Sequence, residues 1–419
     1  MSCLTLQARW VLPVDQEPLE GGRVAIRDGR IVSVGPPLGR TASANLDAVH
    51  DLGDVILLPG LVNTHTHLEF SHLKETLGQP GLPLPDWIRL VLRDRKRSLR
   101  DPAQAILAGL EESLRGGVTT LGEIATSPAA TYRQVSPLPL LTLFDEVIGF
   151  SQARVDSVLE ATRARWTTNL EDHPLTSSPM ECSLGLSPHA PYTVHPCLLQ
   201  KLIDMAIAQQ LPVAMHLAES AEELQLLAQG NGPFQQLLDE RSMWDVRAIS
   251  RNTEPNDYLQ QLARAPRCLV VHGNYLKPQE FEFIAQRRDR MTVIYCPRTH
   301  DYFGHPSYPL AEMLAAGVQI ALGTDSLASN PDLSLLSEMR EVMRKHQSIS
   351  TEQIVHLGTL AGAQALGLEK CAGSISPGKW ANLTAIPCDR SCRDPHAEVV
   401  EGRAVPVATW LRGEKVFSR

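Results

Sequence analysis

The stretch "LLPGLVNTHTHLEFSHL", residues 57–73, decides how this chain is read. Its apolar run reads as a buried strand, and the run ends on two histidines, His65 and His67, one residue apart. Residues two apart on a strand point to the same face, so both imidazoles leave the carboxyl end of the strand side by side. Parallel imidazoles suit the grip of one metal ion. The same spacing also serves two surface or hydrogen-bonded core histidines, so the rest of the chain has to decide.

Outward from this stretch, short Val/Ile/Leu-rich runs alternate with amphipathic helical stretches, the pattern of β/α units and a parallel sheet. Eight runs are legible: "GLVNTHTH" (60–67), "VTTLGEIA" (118–125), "LLTLFDEV" (140–147), "CSLGLSPHA" (182–190), "PVAMHLAES" (212–220), "CLVVHGNYL" (268–276), "MTVIYCP" (291–297) and "VQIALGTDS" (318–326). Eight units close a barrel. The expected fold is therefore α/β, a (β/α)8 TIM-like barrel over residues 57–374. Helix signals agree: "DPAQAILAGLEESLRGG" carries proline in its first turn and a glycine stop, and "STEQIVHLGTLAGAQALG" opens on Ser/Thr and ends on Gly. Ser220 and Glu223 form a capping box that starts a helix directly after the fifth strand. Residues 1–56 and 375–419 alternate apolar and polar with glycine turns, and are expected to pair into one small β-sandwich beside the barrel. The stretch 230–260 reads as a long excursion able to serve as a lid.

The strand ends carry the chemistry. They place His65 and His67, Glu123, Glu146, His189, His216 with Glu219, His272, and Asp325 at the carboxyl ends of apolar runs. In a parallel barrel those ends meet at one face, where substrates bind. Four strand-end histidine positions together with the Asp of "GTDS" argue for a site rather than for chance.

At this point "PGLVNTHTH", "HLAES", "VHGNYL" and "GTDS", in that order, resemble the amidohydrolase superfamily, in particular its cytosine, guanine and adenosine deaminase-like branch, which includes chlorohydrolases. The resemblance spans essentially the whole chain. It implies one divalent metal held by His65, His67, His216 and Asp325. Three neutral imidazoles and a carboxylate suit zinc, with iron(II) as the alternative, and leave a position for water. Two-metal relatives carry a carboxylated lysine at the end of strand four; "CSLGLSPHA" has no lysine, so one metal per chain is expected. Glu219 is expected to shuttle a proton from water to a substrate ring nitrogen, His272 to hydrogen-bond the water or the tetrahedral oxygen, and Asp325 to pass a proton to leaving ammonia. The bland role for Glu219 is helix capping.

Expected substrate contacts are His189 in "SPHAPYT", and Glu69 and Trp87 after strand one. In the strand-seven loop "CPRTHDYFGH" replaces the family's more usual Cys-Pro-x-Ser-Asn run, so Arg298, His300 and His305 are expected to line the mouth and read a polar or anionic group. The expected activity is a deaminase acting on an N-heterocycle such as a purine, pyrimidine or adenosine-like compound. Two alternatives stand beside it: a chlorohydrolase or cyclic amidase on a related heterocycle, and a non-catalytic binding protein of the same fold. The zinc deaminase architecture with H-x-E and P-C-x-x-C is imitated by His67-Leu68-Glu69 and "PCDRSC", but three residues separate Cys388 from Cys392. A separate structural zinc at Cys388, Cys392 and His396 remains an open alternative.

Composition sets the outer bounds. The 419 residues are 43% hydrophobic and 21% charged, with a formal net charge of −8, which fits a globular protein and disfavours nucleic acid as a partner. No run of about 18 apolar residues predicts a membrane span. The N-terminus lacks a basic segment followed by an apolar core, and the eight cysteines lack framework spacing. A cytoplasmic protein with a small-molecule heterocyclic substrate is expected, with a homodimer left open.

Overall fold

The computed structural model describes residues 3–36, 49–97, 101–134, 138–171 and 182–419. Residues 37–48, part of the expected N-terminal sandwich segment, lie outside these ranges. Eight parallel strands follow one another in chain order: β1 (Leu61–Thr66), β2 (Val118–Ala125), β3 (Leu140–Val147), β4 (Cys182–Pro188), β5 (Pro212–Leu217), β6 (Arg267–His272), β7 (Met291–Tyr295) and β8 (Gln319–Leu322). Every residue of β1, β2 and β7 is buried, as expected of parallel strands covered on both faces.

The seam between β8 and β1 closes the barrel. The backbone N–H groups of Thr324 and Asp325 donate to the His65 carbonyl at 3.1 and 3.0 Å. Asn63 spans the same seam: its amide donates to Thr324 Oγ1 at 2.7 Å, and its side-chain oxygen accepts the Thr324 N–H at 3.1 Å. Gly323 permits the approach, because a Cβ there would stand 2.8 Å from the His65 Cβ.

Two further sheets flank the barrel. One runs Arg30–Gly35, Arg23–Arg27, Cys3–Gln7, Val49–Asp51; the other runs Glu414–Ser418, Ala408–Leu411, Leu383–Pro387, Val55–Pro59, Trp10–Val11, Leu19–Glu20. They share a core that includes Leu6, Val11, Ile26, Leu57 and Trp410. Strands from both ends of the chain thus interleave in the six-stranded sheet, with Leu58 opposite Thr384.

Two sequence expectations need correction. The opening stretch is not one strand: Val55–Pro59 belongs to the small sheet and β1 starts at Leu61, so the barrel begins after Gly60 rather than at residue 57. Gly60 allows the crossing, since a Cβ on it would lie 2.1 Å from Thr119 Oγ1. The segment "STEQIVHLGTLAGAQALG" splits into helices Thr351–Leu357 and Leu360–Leu366, because Thr359 leaves helical backbone at φ −134°, ψ −93°. Among the described residues, no helix is long and apolar enough to cross a membrane.

Candidate active site

The carboxyl ends of the strands converge as barrel closure requires. The His65 and His67 rings lie 4.9 Å apart, centroid to centroid; His216, on β5, lies 5.0 Å from His65, and His272, ending β6, lies 5.6 Å from it. Asp325, just past β8, brings Oδ1 to 3.6 Å from Nε2 of both His65 and His67. Ligand atoms of His65, His67 and His216 sit within 4.8 Å of one another, as do those of His65, His272 and Asp325. His272 (φ 69°) and Asp325 (φ 56°) hold left-handed backbone without being glycine. Such a conformation costs on the order of 1–3 kcal/mol and persists where surroundings enforce it. Here the Tyr308 hydroxyl donates to the His272 carbonyl at 2.9 Å, and the Asp325 N–H is bound to His65.

Burial, and then mutual repulsion, pushes His65 well below the usual imidazole range; burial does the same to His67, His189 and His272, and lowers His216. Neutral imidazoles present lone pairs. The His216 Nδ1–H donates to the His189 carbonyl at 2.9 Å, which leaves Nε2 for the cluster. Both ring nitrogens of His65, Nδ1 of His67 and Nε2 of His272 are buried without a hydrogen-bond partner. Buried polar atoms rarely stay unpaired, and a donor set of imidazole nitrogens beside a carboxylate satisfies a divalent cation. The residues fit a metal.

Glu219 follows His216 by three residues and faces the same space. Its Oε1 lies 3.5 Å from His272 Nε2, and its Oε2 accepts the Tyr192 hydroxyl at 3.3 Å. Burial, then the charges of Asp325 and Glu223, raises its carboxyl well above the ordinary range. Only half of the expected capping box forms, and the Glu223 carboxylate turns to other backbone groups. Ser220 Oγ accepts the Glu223 N–H at 3.2 Å, while the Glu223 carboxylate accepts the backbone N–H groups of Ala218 at 2.8 Å and Glu219 at 2.9 Å. Asn274 donates to the Glu219 carbonyl at 2.9 Å. Both backbone polar groups of Glu219 are therefore anchored.

A cavity of about 300 Å³ opens over the cluster. One wall is the helix Leu84–Arg97, with Trp87 and Val91; the other is the helix Pro233–Glu240, with Phe234 and Leu237. The excursion after strand five thus builds a wall of the pocket. Arg89 joins the two helices through Nε and Nη2 to the Glu240 carboxylate at 2.9 and 2.7 Å.

Of the expected substrate contacts, His189 and Trp87 line this cavity, and four others do not. Glu69 is occupied by Arg95 at 2.6 Å and Thr126 at 2.7 Å. The strand-seven loop coils into a helical turn, Pro297–Tyr302, and none of its side chains lines the cavity. Arg298 is locked to Glu338 at 2.7 Å and Asp332 at 2.8 Å. His305 pairs with the Tyr275 hydroxyl at 3.1 Å, and the His300 ring packs 5.4 Å from it. Among the described residues, three-ligand clusters occur only at the barrel mouth, so Cys388, Cys392 and His396 form none.

Sequence reasoning missed Tyr192, Asn274 and the anchoring role of Glu223, all of which act through tertiary contacts. It noted Glu146 as a polar strand end without assigning it to the pocket, which it lines together with Arg95.

The profile of the amidohydrolase family matches residues 56–416. The chain belongs to the amidohydrolase family and is a hydrolase acting on carbon–nitrogen bonds. It is 28% identical over 400 residues to a 5-methylthioadenosine/S-adenosylhomocysteine deaminase of Moorella thermoacetica, covering 92% of this chain and 85% of that one. It is 30% identical over 337 residues to an aminodeoxyfutalosine deaminase of Deinococcus radiodurans, covering 76% and 75%. A solved adenosine deaminase from Xanthomonas campestris with bound zinc superposes with a TM-score of 0.75 at 25% identity, covering 99% of this chain and 93% of that one.

Proposed function

We propose that the chain is a metal-dependent aminohydrolase that removes ammonia from an adenosine-like N-heterocycle, using one divalent cation, zinc, held by His65, His67, His216 and Asp325. The observation that carries this reading is the set of neutral, buried, unpartnered imidazole nitrogens beside Asp325, with Glu219 facing the same cavity. Bound there, the cation would act as a Lewis acid and lower the pKa of water towards neutrality. The deaminase relatives support the choice of reaction. The seven free cysteines among the described residues support a cytoplasmic location.

The chain's own residues do the proton work. Glu219 takes a proton from the attacking water and delivers it to the ring nitrogen, which makes the amine-bearing carbon electrophilic. Burial raises its affinity for the proton it takes up. His272 faces Glu219 and the Asp325 side, where it hydrogen-bonds the oxygen that becomes attached to the ring carbon. Asp325 accepts the proton of the hydroxyl newly attached to the ring carbon and passes it to the departing nitrogen as the carbon–nitrogen bond breaks, so that ammonia leaves and a ring carbonyl remains. The walls formed by Trp87 and Phe234 exclude bulk water from the ring.

Glu219→Gln tests this. The variant should retain one zinc per chain while ammonia release from adenosine derivatives falls roughly 10²- to 10⁴-fold. Near-normal turnover with the metal in place would refute the assignment.

A further inference from the structure

We propose that Ser329, backed by Thr299, is a positioning residue for Asp325: its hydroxyl holds one carboxylate oxygen so that the other faces the metal-binding histidines. The role of Asp325 in turnover rests on the aminohydrolase reading; the hydroxyl contacts do not.

Asp325 needs such a hold. The torsion that turns a carboxylate about its Cβ–Cγ bond has broad, two-fold minima, so the side chain alone does not decide which oxygen meets the cluster. Oδ1 lies 3.6 Å from Nε2 of both His65 and His67. Oδ2 accepts the Ser329 hydroxyl at 3.3 Å, the one side-chain hydrogen bond to this carboxylate among the described residues. Thr299 Oγ1 stands 3.0 Å from Ser329 Oγ. An ionised carboxylate only accepts, so the Ser329 proton points at Asp325 and the Thr299 proton at Ser329. Two hydroxyls in series thus end on one oxygen.

The backbone puts them there. The Ser329 N–H donates to the Ser326 carbonyl at 3.1 Å and the Ala328 N–H to Ser326 Oγ at 3.3 Å, a turn that brings Ser329 back beside Asp325. The next residue, Asn330, donates through Nδ2 to the Thr324 carbonyl at 2.8 Å and to Glu338 Oε1 at 2.6 Å. Glu338 Oε2 accepts the Arg298 N–H at 2.9 Å, one residue before Thr299. One buried carboxylate therefore ties the segment carrying Ser329 to the segment carrying Thr299. Both hydroxyl residues are 1% exposed, and neither lines the cavity. They touch no substrate and act through Asp325.

The test uses full-length Ser329→Ala, Thr299→Val, which keeps the shape and removes the hydroxyl, and Thr299→Ser, which keeps the hydroxyl. Losing a partner that orients a metal ligand weakens the metal roughly 10- to 100-fold. A 3.3 Å separation is long for an O–H···O bond, which puts Ser329→Ala at about tenfold, the low end of that range. Zinc competition titration should show that loss, the visible spectrum of cobalt(II)-loaded protein should shift, and kcat for ammonia release should fall with KM unchanged. Thr299→Val should move all three in the same direction by less, and Thr299→Ser should restore them. Wild-type zinc affinity and cobalt spectrum in Ser329→Ala overturn the proposal, and so does a loss confined to KM. If Ser329→Ala does not fold, the Thr299 pair decides, because equal behaviour of its Val and Ser variants overturns the relay. Weakened zinc in Ser329→Ala, with no ammonia released from any heterocycle by wild-type protein, would uphold the positioning and sink the aminohydrolase reading. Unchanged zinc in Ser329→Ala, with ammonia released by wild-type protein, would do the reverse.

Discussion

Replacing Gly323 with alanine tests whether the seam between the last and first barrel strands sets the geometry of the metal-binding cluster. The added methyl would stand 2.8 Å from the His65 Cβ and 3.0 and 3.1 Å from the His65 backbone oxygen and nitrogen. Carbon atoms in contact settle at about 3.5 Å or more, so β8 and β1 must separate by about 0.7 Å. The contacts are with backbone and Cβ, which cannot swing aside. Metal–ligand distances tolerate only about 0.2 Å, and His65 and Asp325 sit on opposite sides of this seam. Overpacking of this kind costs about 1–3 kcal/mol in stability, and loss of ligand alignment should weaken zinc roughly 10- to 100-fold. Zinc competition titration and thermal unfolding of the same preparation read the two effects separately. A G323A protein with wild-type zinc affinity and an unchanged midpoint would refute the proposed dependence of the cluster on close strand approach.

Glu223→Gln places an amide donor against at least one of the backbone N–H groups of Ala218 and Glu219; it should lose about 1.5–3 kcal/mol of stability and at least tenfold in kcat with zinc content unchanged, and a wild-type kcat would show that Glu219 needs no such anchor. Arg298→Met leaves the buried Glu338 carboxylate without its cation, so unfolding stability should fall by about 3 kcal/mol while kcat/KM of the folded enzyme holds; a selective loss of substrate affinity would return Arg298 to the pocket. Burial lowers His300 and His305 to about 4. Their folded forms stay neutral where the unfolded chain takes up protons, so the stability they contribute is full above about pH 6.5 and declines as pH falls towards 4, by up to about 3 kcal/mol each. His305→Gln should flatten that decline in denaturant titrations at several pH values, and an unaltered slope would contradict the assignment.

The residues that sequence reading located are those whose positions follow from local periodicity and barrel closure. His65 and His67 share a face because a strand repeats every two residues, and His216, His272 and Asp325 join them because parallel strand ends meet at one face. Loop residues obey neither rule. Arg298, His300 and His305 were expected at the mouth because they follow a strand, yet Arg298 and His300 sit on a helical turn begun by Pro297, and His305, beyond that turn, pairs with the Tyr275 hydroxyl. The strand break at Gly60 was hidden because the apolar run Val55–Pro59 continues without a polar residue into Leu61 and Val62, and only the partner Leu383–Pro387 separates the two strands. Glu223 was legible as a cap, but its hold on Glu219 depends on a carboxylate turned back under the preceding loop.

The interleaving of Val55–Pro59 with Leu383–Pro387 also bears on biosynthesis. The strand that leads into the barrel is translated more than three hundred residues before the neighbour that completes its pairing. Until then an apolar ribbon has an open edge, a ready template for mispairing. Completion of this sheet therefore waits on synthesis of Leu383–Pro387, and truncations ahead of that strand that spare every side chain of the metal-binding cluster should still yield aggregates.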